Sequence, residues 1–100
     1  MITYLKDEDF DSFIKDKRVL VDFYADWCNP CNLLGDNLKE LVKCQKIDIL
    51  KVNVDLREDL AIKFNINSIP YLVLFENGKI LKESVGYLEL DQLIDFINIK

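Results

Sequence analysis

The chain has no histidine among its 100 residues, and only three cysteines, three glycines and two prolines. Without imidazole there is no Cys–His catalytic pair and no metal site built on histidine. Zinc takes four ligands, usually cysteine and histidine, which three cysteines do not supply, so no metal site is expected. Three unevenly spaced cysteines are also too few for a secreted disulfide framework. No stripe of Lys or Arg offsets the net charge of -5, so nucleic acid is not an expected partner. No apolar run approaches transmembrane length, and no membrane association is expected. The first nine residues lack the basic and apolar regions of a signal peptide. A cytoplasmic monomer is therefore expected, a single domain over residues 1–100 with room for one core.

What is present is regular alternation. Met1 to Leu5 reads as a short strand. Asp7 to Lys17 reads as a helix, with Phe10, Phe13 and Ile14 on one face. Arg18 to Ala25 is a strand apolar on both sides of Asp22, and Pro30 to about Gln45 a helix. A strand follows over Ile47 to Val54, then a helix over Leu56 to Phe64 with Leu56, Leu60, Ala61 and Phe64 inward. Asn77-Gly78 separates strands Tyr71 to Glu76 and Lys79 to Val85, a strong hairpin signal. Glu89 to Ile99 closes the chain as a helix with Leu90, Leu93, Ile94 and Ile97 facing in. The order βαβαβαββα predicts an α/β fold, a central mixed sheet flanked by helices.

The chemistry centers on Trp27-Cys28-Asn29-Pro30-Cys31, a C-x-x-C between a strand and a helix. That placement reads as a dithiol/disulfide redox pair. With Cys28 as N-cap, its sulfur can accept the N–H of Cys31, three residues on. The free amides and the helix dipole then favor a thiolate, the nucleophile of disulfide exchange. Cys28 is expected to be the exposed nucleophile and Cys31 the shielded partner.

The whole chain resembles the thioredoxin family. The resemblance rests on Val-Asp-Phe-Tyr-Ala-Asp-Trp-Cys-Asn-Pro-Cys (21–31), Lys-Val-Asn-Val-Asp (51–55), Ser-Ile-Pro-Tyr-Leu (68–72), Phe-Glu-Asn-Gly (75–78) and Val-Gly (85–86), in order and at family spacing. It implies the thioredoxin fold and reduction of disulfides in target proteins: Cys28 attacks and Cys31 resolves. It further implies a buried acid at Asp22, a lysine near it at Lys51, and a cis proline at Pro70. Trp27, Pro30, Ile69, Pro70 and Gly86 match the substrate-facing rim, and Asn29 lies between the two cysteines on the same rim. Recharging by a thioredoxin reductase, an NADPH-dependent flavoprotein, is implied, with no bound cofactor. The chain departs from the family pattern at Asn29 (usually Gly), Asn32 (commonly Lys), Asp36 (usually a kinking Pro) and Tyr71 (commonly Thr).

Two other functions remain open at this level: a thiol oxidase or isomerase on the same cysteines, and a binding module independent of its thiols. Among single residues, burial would raise the pKa of Asp22 and suit it to take the Cys31 proton. Lys51 alone reads most simply as a surface lysine. A cis bond at Pro70 would expose the Ile69 backbone to a substrate strand. Trp27 reads as an apolar platform beside the sulfur. Cys44, late in its helix, reads as a partly buried, inert thiol, and Asp26 and Asp36 as solvated acids flanking the motif.

Overall fold

The computed structural model describes residues 1–99. Five strands, β1 (Ile2–Tyr4), β2 (Arg18–Tyr24), β3 (Asp48–Asn53), β4 (Tyr71–Glu76) and β5 (Lys79–Val85), form one sheet in the order β1-β3-β2-β4-β5. The first three pair in parallel, and β4 and β5 add antiparallel. Four helices complete the chain, α1 (Phe10–Ile14), α2 (Asn29–Cys44), α3 (Glu58–Lys63) and α4 (Leu90–Ile97). This is the mixed sheet and element order expected from the alternation.

Because neighboring strand residues point to opposite faces, the central strands supply two cores. Val19, Val21, Phe23, Leu50, Val52, Val73 and Phe75 pack with Phe10, Ile14 and Leu60, the side of α1 and α3. Leu20, Ile49, Leu72 and Leu74 pack with Leu34, Leu38, Leu41, Leu93, Phe96 and Ile97, the side of α2 and α4. Asp22 and Lys51 continue the second face. They are register partners, and Tyr4 pairs with Lys51 on the other side. A row Tyr4–Lys51–Asp22 thus crosses three strands.

Four expected helix ends differ by two residues or more: α1 stops at Ile14 rather than Lys17, and the other three each have a local reason. α1 begins at Phe10 rather than Asp7. Asp9 is its N-cap, accepting from Ser12 N at 3.2 Å, and the carbonyls of Lys6 and Glu8 accept from the Arg57 guanidinium instead of a helix. α3 begins at Glu58 rather than Leu56. Asn53 first closes a turn, its Oδ1 accepting from Asp55 N at 2.9 Å and its carbonyl from the N–H groups of Leu56 and Arg57. Leu56 consequently points away from the core, 72% exposed. α4 ends at Ile97, where Arg18 Nη1 donates to the Ile97 carbonyl at 3.0 Å and also to that of Ile99. The Asn77-Gly78 turn has positive φ at both residues (52° and 81°), as a tight two-residue hairpin requires.

Candidate active site

β2 delivers the chain to the site. Ala25 and Cys28 are buried after its end, and Cys28 N donates to the Ala25 carbonyl at 3.3 Å. Cys28 is the N-cap of α2 in an extended conformation, and its Sγ accepts from Cys31 N at 3.3 Å. Pro30 occupies the first turn, where it lacks only an N–H that would have no helical partner. Cys28 and Cys31 are joined as a disulfide with Cα atoms 5.2 Å apart. Cys28 is buried rather than exposed as expected, though slightly less so than Cys31. Cys28 is 5% exposed and Cys31 1%; with Ala25 they form a small buried cluster against which Tyr24, Val54 and Ile69 pack.

The chain segments that resemblance singled out converge here. The Ile69–Pro70 peptide bond is cis. Ile69 packs against the cysteines, and the Pro70 carbonyl accepts from Gly86 N at 2.8 Å, drawing Gly86 to the same loop. Asn29 and Pro30 are exposed at the start of α2. Trp27 is 73% exposed and, with Val54, Ile66, Asn67, Ser68 and Ile69, lines a shallow cavity of about 180 Å³. Its indole is not loose: Nε1 donates to Asp55 Oδ2 at 2.9 Å. Asp55 closes the 51–55 stretch that carries the resemblance, but its role is not read from the sequence, since a contact spanning 28 positions leaves no local signal.

On β2, three residues before Ala25, Asp22 is fully buried. Burial pushes its carboxyl up to about 6, with the ammonium of Lys51 pulling the other way. Lys51 Nζ lies 3.4 Å from Asp22 Oδ2. The contact is an ion pair rather than a directed hydrogen bond, since neither Asp22 oxygen has a hydrogen-bond partner among the described residues. Lys51 is only 7% exposed, against the surface reading. Its charge also lies over the ring of Tyr24 at 4.4 Å and near that of Tyr4 at 5.6 Å. Cys44 lies away from this site. It is exposed rather than partly buried, because α2 buries the stripe Leu34, Leu38 and Leu41 and turns the Cys44 position outward.

A thioredoxin family profile matches residues 1–99. The chain belongs to the thioredoxin family. It is 40% identical to a thioredoxin of Buchnera aphidicola over 98% of this chain and 94% of the relative. A thioredoxin of Haemophilus influenzae is 38% identical over 97% and 94% of the two chains. Among solved structures, a mutant thioredoxin from Halobacterium salinarum superposes with a TM-score of 0.87 at 34% identity, covering 96% of this chain and 87% of that one. Reduced Schistosoma mansoni thioredoxin pre-protein gives the same TM-score at 35% identity, covering 96% and 94%. With its Trp27-Cys28-x-x-Cys31 motif, the chain is a thiol–disulfide oxidoreductase that reduces protein disulfides. Its partners are disulfide-containing proteins and a reductase. Among the described residues no helix is long and apolar enough to cross a membrane.

Proposed function

We propose that Cys28 is the attacking thiol and Cys31 the resolving thiol of this reductase. The observation that carries the reading is the N-cap contact, the Cys31 N–H aimed at Cys28 Sγ. One cysteine sits where a helix N-terminus stabilizes negative sulfur, and the other is more enclosed. The Cys28 thiolate attacks one sulfur of a target disulfide. The target S–S bond breaks, one target sulfur leaves as thiolate and takes a proton, and a Cys28–target disulfide forms. Asp22 takes the proton of Cys31. A carboxyl near 6 is mostly ionized at neutral pH, yet basic enough to accept it. The Cys31 thiolate then attacks Cys28 Sγ, the mixed disulfide breaks, and the second target thiol departs. Two electrons have moved to the target, and Cys28–Cys31 is the disulfide described above. Lys51 moderates the charge on Asp22.

Trp27, Asn29, Pro30, Ile69 and Gly86 form the surface on which the target strand lies, with the Ile69 backbone open to strand pairing; Pro70, expected on this rim, is buried. The disulfide is returned to dithiol by an NADPH-dependent flavoprotein reductase, and the chain works as a single-domain monomer in the cytoplasm, where a dithiol reductant can be kept reduced. The test is turnover of a disulfide protein with and without that reductase and NADPH. Catalytic turnover only in their presence supports the reading. Turnover that persists in a Cys28→Ser, Cys31→Ser double variant overturns it.

A further inference from the structure

Gly35 sits inside α2, buried, on the stripe that includes Cys31, Leu34 and Leu38. Glycine is a poor choice for a helix interior, where alanine is the better helix former. Nothing in its backbone asks for glycine either, since the positive-φ glycines are Gly78 and Gly86. A Cβ placed on Gly35 would meet one atom within 4 Å among the described residues, Lys51 Nζ at 3.3 Å. A methyl group there would crowd the ammonium by a few tenths of an ångström.

That ammonium has little freedom in other directions. Asp22 Oδ2 lies 3.4 Å away, and the rings of Tyr24 and Tyr4 bound it on the side of the sheet. Its open side is a cavity of about 240 Å³ lined by Tyr4, Tyr24, Asp26, Asn32, Gly35, Asp36, Lys39 and Lys51. The ionizable groups facing it are therefore Tyr4 from β1, Asp22 and Tyr24 from β2, Asp26 from the following loop, and Asp36 and Lys39 from α2. A methyl group at position 35 would press on the flexible end of Lys51, which would give by a few tenths of an ångström, and the cavity on its open side leaves it room to draw back from Asp22.

We propose that Gly35 is a positioning residue of the redox site: its missing Cβ seats the Lys51 ammonium against Asp22. The consequence for catalysis rests on the reading of Asp22 as the base for Cys31. Lys51 opposes the effect of burial on Asp22, so its retreat raises the Asp22 titration midpoint. The resolving step then needs a higher pH to reach the same rate.

The test follows the Asp22 side-chain carboxyl by carbon NMR in the oxidized full chain, as wild type, Gly35→Ala, Lys51→Met and the double variant. Gly35→Ala preserves the helix, so it reports on the site rather than on folding. Its Asp22 midpoint is expected to rise by a few tenths of a pH unit, the scale of a small displacement of a nearby opposite charge. Adding Gly35→Ala to Lys51→Met is expected to move the midpoint no further. An unchanged midpoint in Gly35→Ala, or an equal rise with Lys51 absent, overturns the proposal. Release of a preformed mixed disulfide, followed against pH, separates the two readings. A release profile displaced together with the titration supports both. A titration that moves while release does not leaves Gly35 as the seat of Lys51 and removes Asp22 from the resolving step.

Discussion

Lys51 Nζ and Asp22 Oδ2 stand 3.4 Å apart on neighboring strands, at paired register positions beneath the first turns of α2. The carboxyl titrates near 6 rather than at its ordinary 3.8, with burial as the leading cause. Between those values the folded protein keeps a proton that the unfolded chain has released. Stability therefore falls as pH rises through about 4 to 6, and this loss is complete above that window. The gap corresponds to about 3 kcal/mol. Asp22→Asn has no such loss. Its stability relative to wild type should grow by about that amount between pH 4 and pH 8. Urea melts of both proteins across that range check it, because contributions of the other carboxylates cancel in the difference. A constant difference would show that Asp22 does not titrate as described.

The same variant separates two kinetic steps. Asp22→Asn removes the acceptor for the Cys31 proton and leaves the Cys28 N-cap intact. Formation of the mixed disulfide should change less than about three-fold, while its release slows by about 10²-fold or more, the usual contribution of a positioned general base. Stopped-flow traces with a fluorescent disulfide substrate resolve the two phases. An attack step slowed as much as release would contradict this division of labor.

Thiol labeling should follow the helix geometry. In the oxidized protein Cys44 is the free, exposed thiol, and iodoacetamide should label it alone. After reduction, at pH 7, Cys28 should react about three-fold or more faster than Cys44, because a larger fraction is thiolate and only part of that gain is lost to lower nucleophilicity. Cys31 should react last. Peptide mapping over time reads the order, and Cys31 or Cys44 labeled ahead of Cys28 would contradict it.

Arg18 ties the start of β2 to the end of α4. Its guanidinium donates to the Ile97 and Ile99 carbonyls, both at 3.0 Å, and to the Glu76 carboxylate at 3.2 and 3.3 Å. Arg18→Met should cost about 1–3 kcal/mol, the range for hydrogen bonds to charged groups. Glu76→Gln should cost less than about 1 kcal/mol, since that pair is partly exposed. Equilibrium urea unfolding measures both, and an Arg18→Met loss no larger than that of Glu76→Gln would show that the carbonyl contacts contribute little.

Much of the architecture was legible because periodicity and turns agree. Tyr71–Glu76 and Lys79–Val85 were read with their observed ends, because Asn77-Gly78 pins one side of each strand. The N-cap role of Cys28 was legible too, since cysteine, proline and helix onset lie within four residues. Long-range contacts were not. The guanidinium of Arg57 reaches back to residues 6 and 8 and shortens α1, a pairing that no local pattern encodes. Lys51 did carry a signal, as it shares strand parity with Ile49 on a face that α2 covers, but a lysine in such a place becomes legible only once Asp22 is known to lie beside it. Nothing local to Gly35 signals a role, because the ammonium beside it comes from β3. Cys44 was misplaced because it follows the apolar stripe by only a few residues, and its exposure depends on how α2 is rotated against the sheet.

The central claim is that Cys28 alone forms the bond to the target. Trapping tests it most directly: reduced Cys31→Ser and Cys28→Ser variants are mixed with a disulfide protein, quenched with acid, and the cross-linked peptides identified by mass spectrometry. Cys31→Ser should accumulate a mixed disulfide through Cys28, and Cys28→Ser should accumulate none through Cys31. A stable adduct through Cys31 in the Cys28→Ser protein, or through Cys44 in either, would contradict the account.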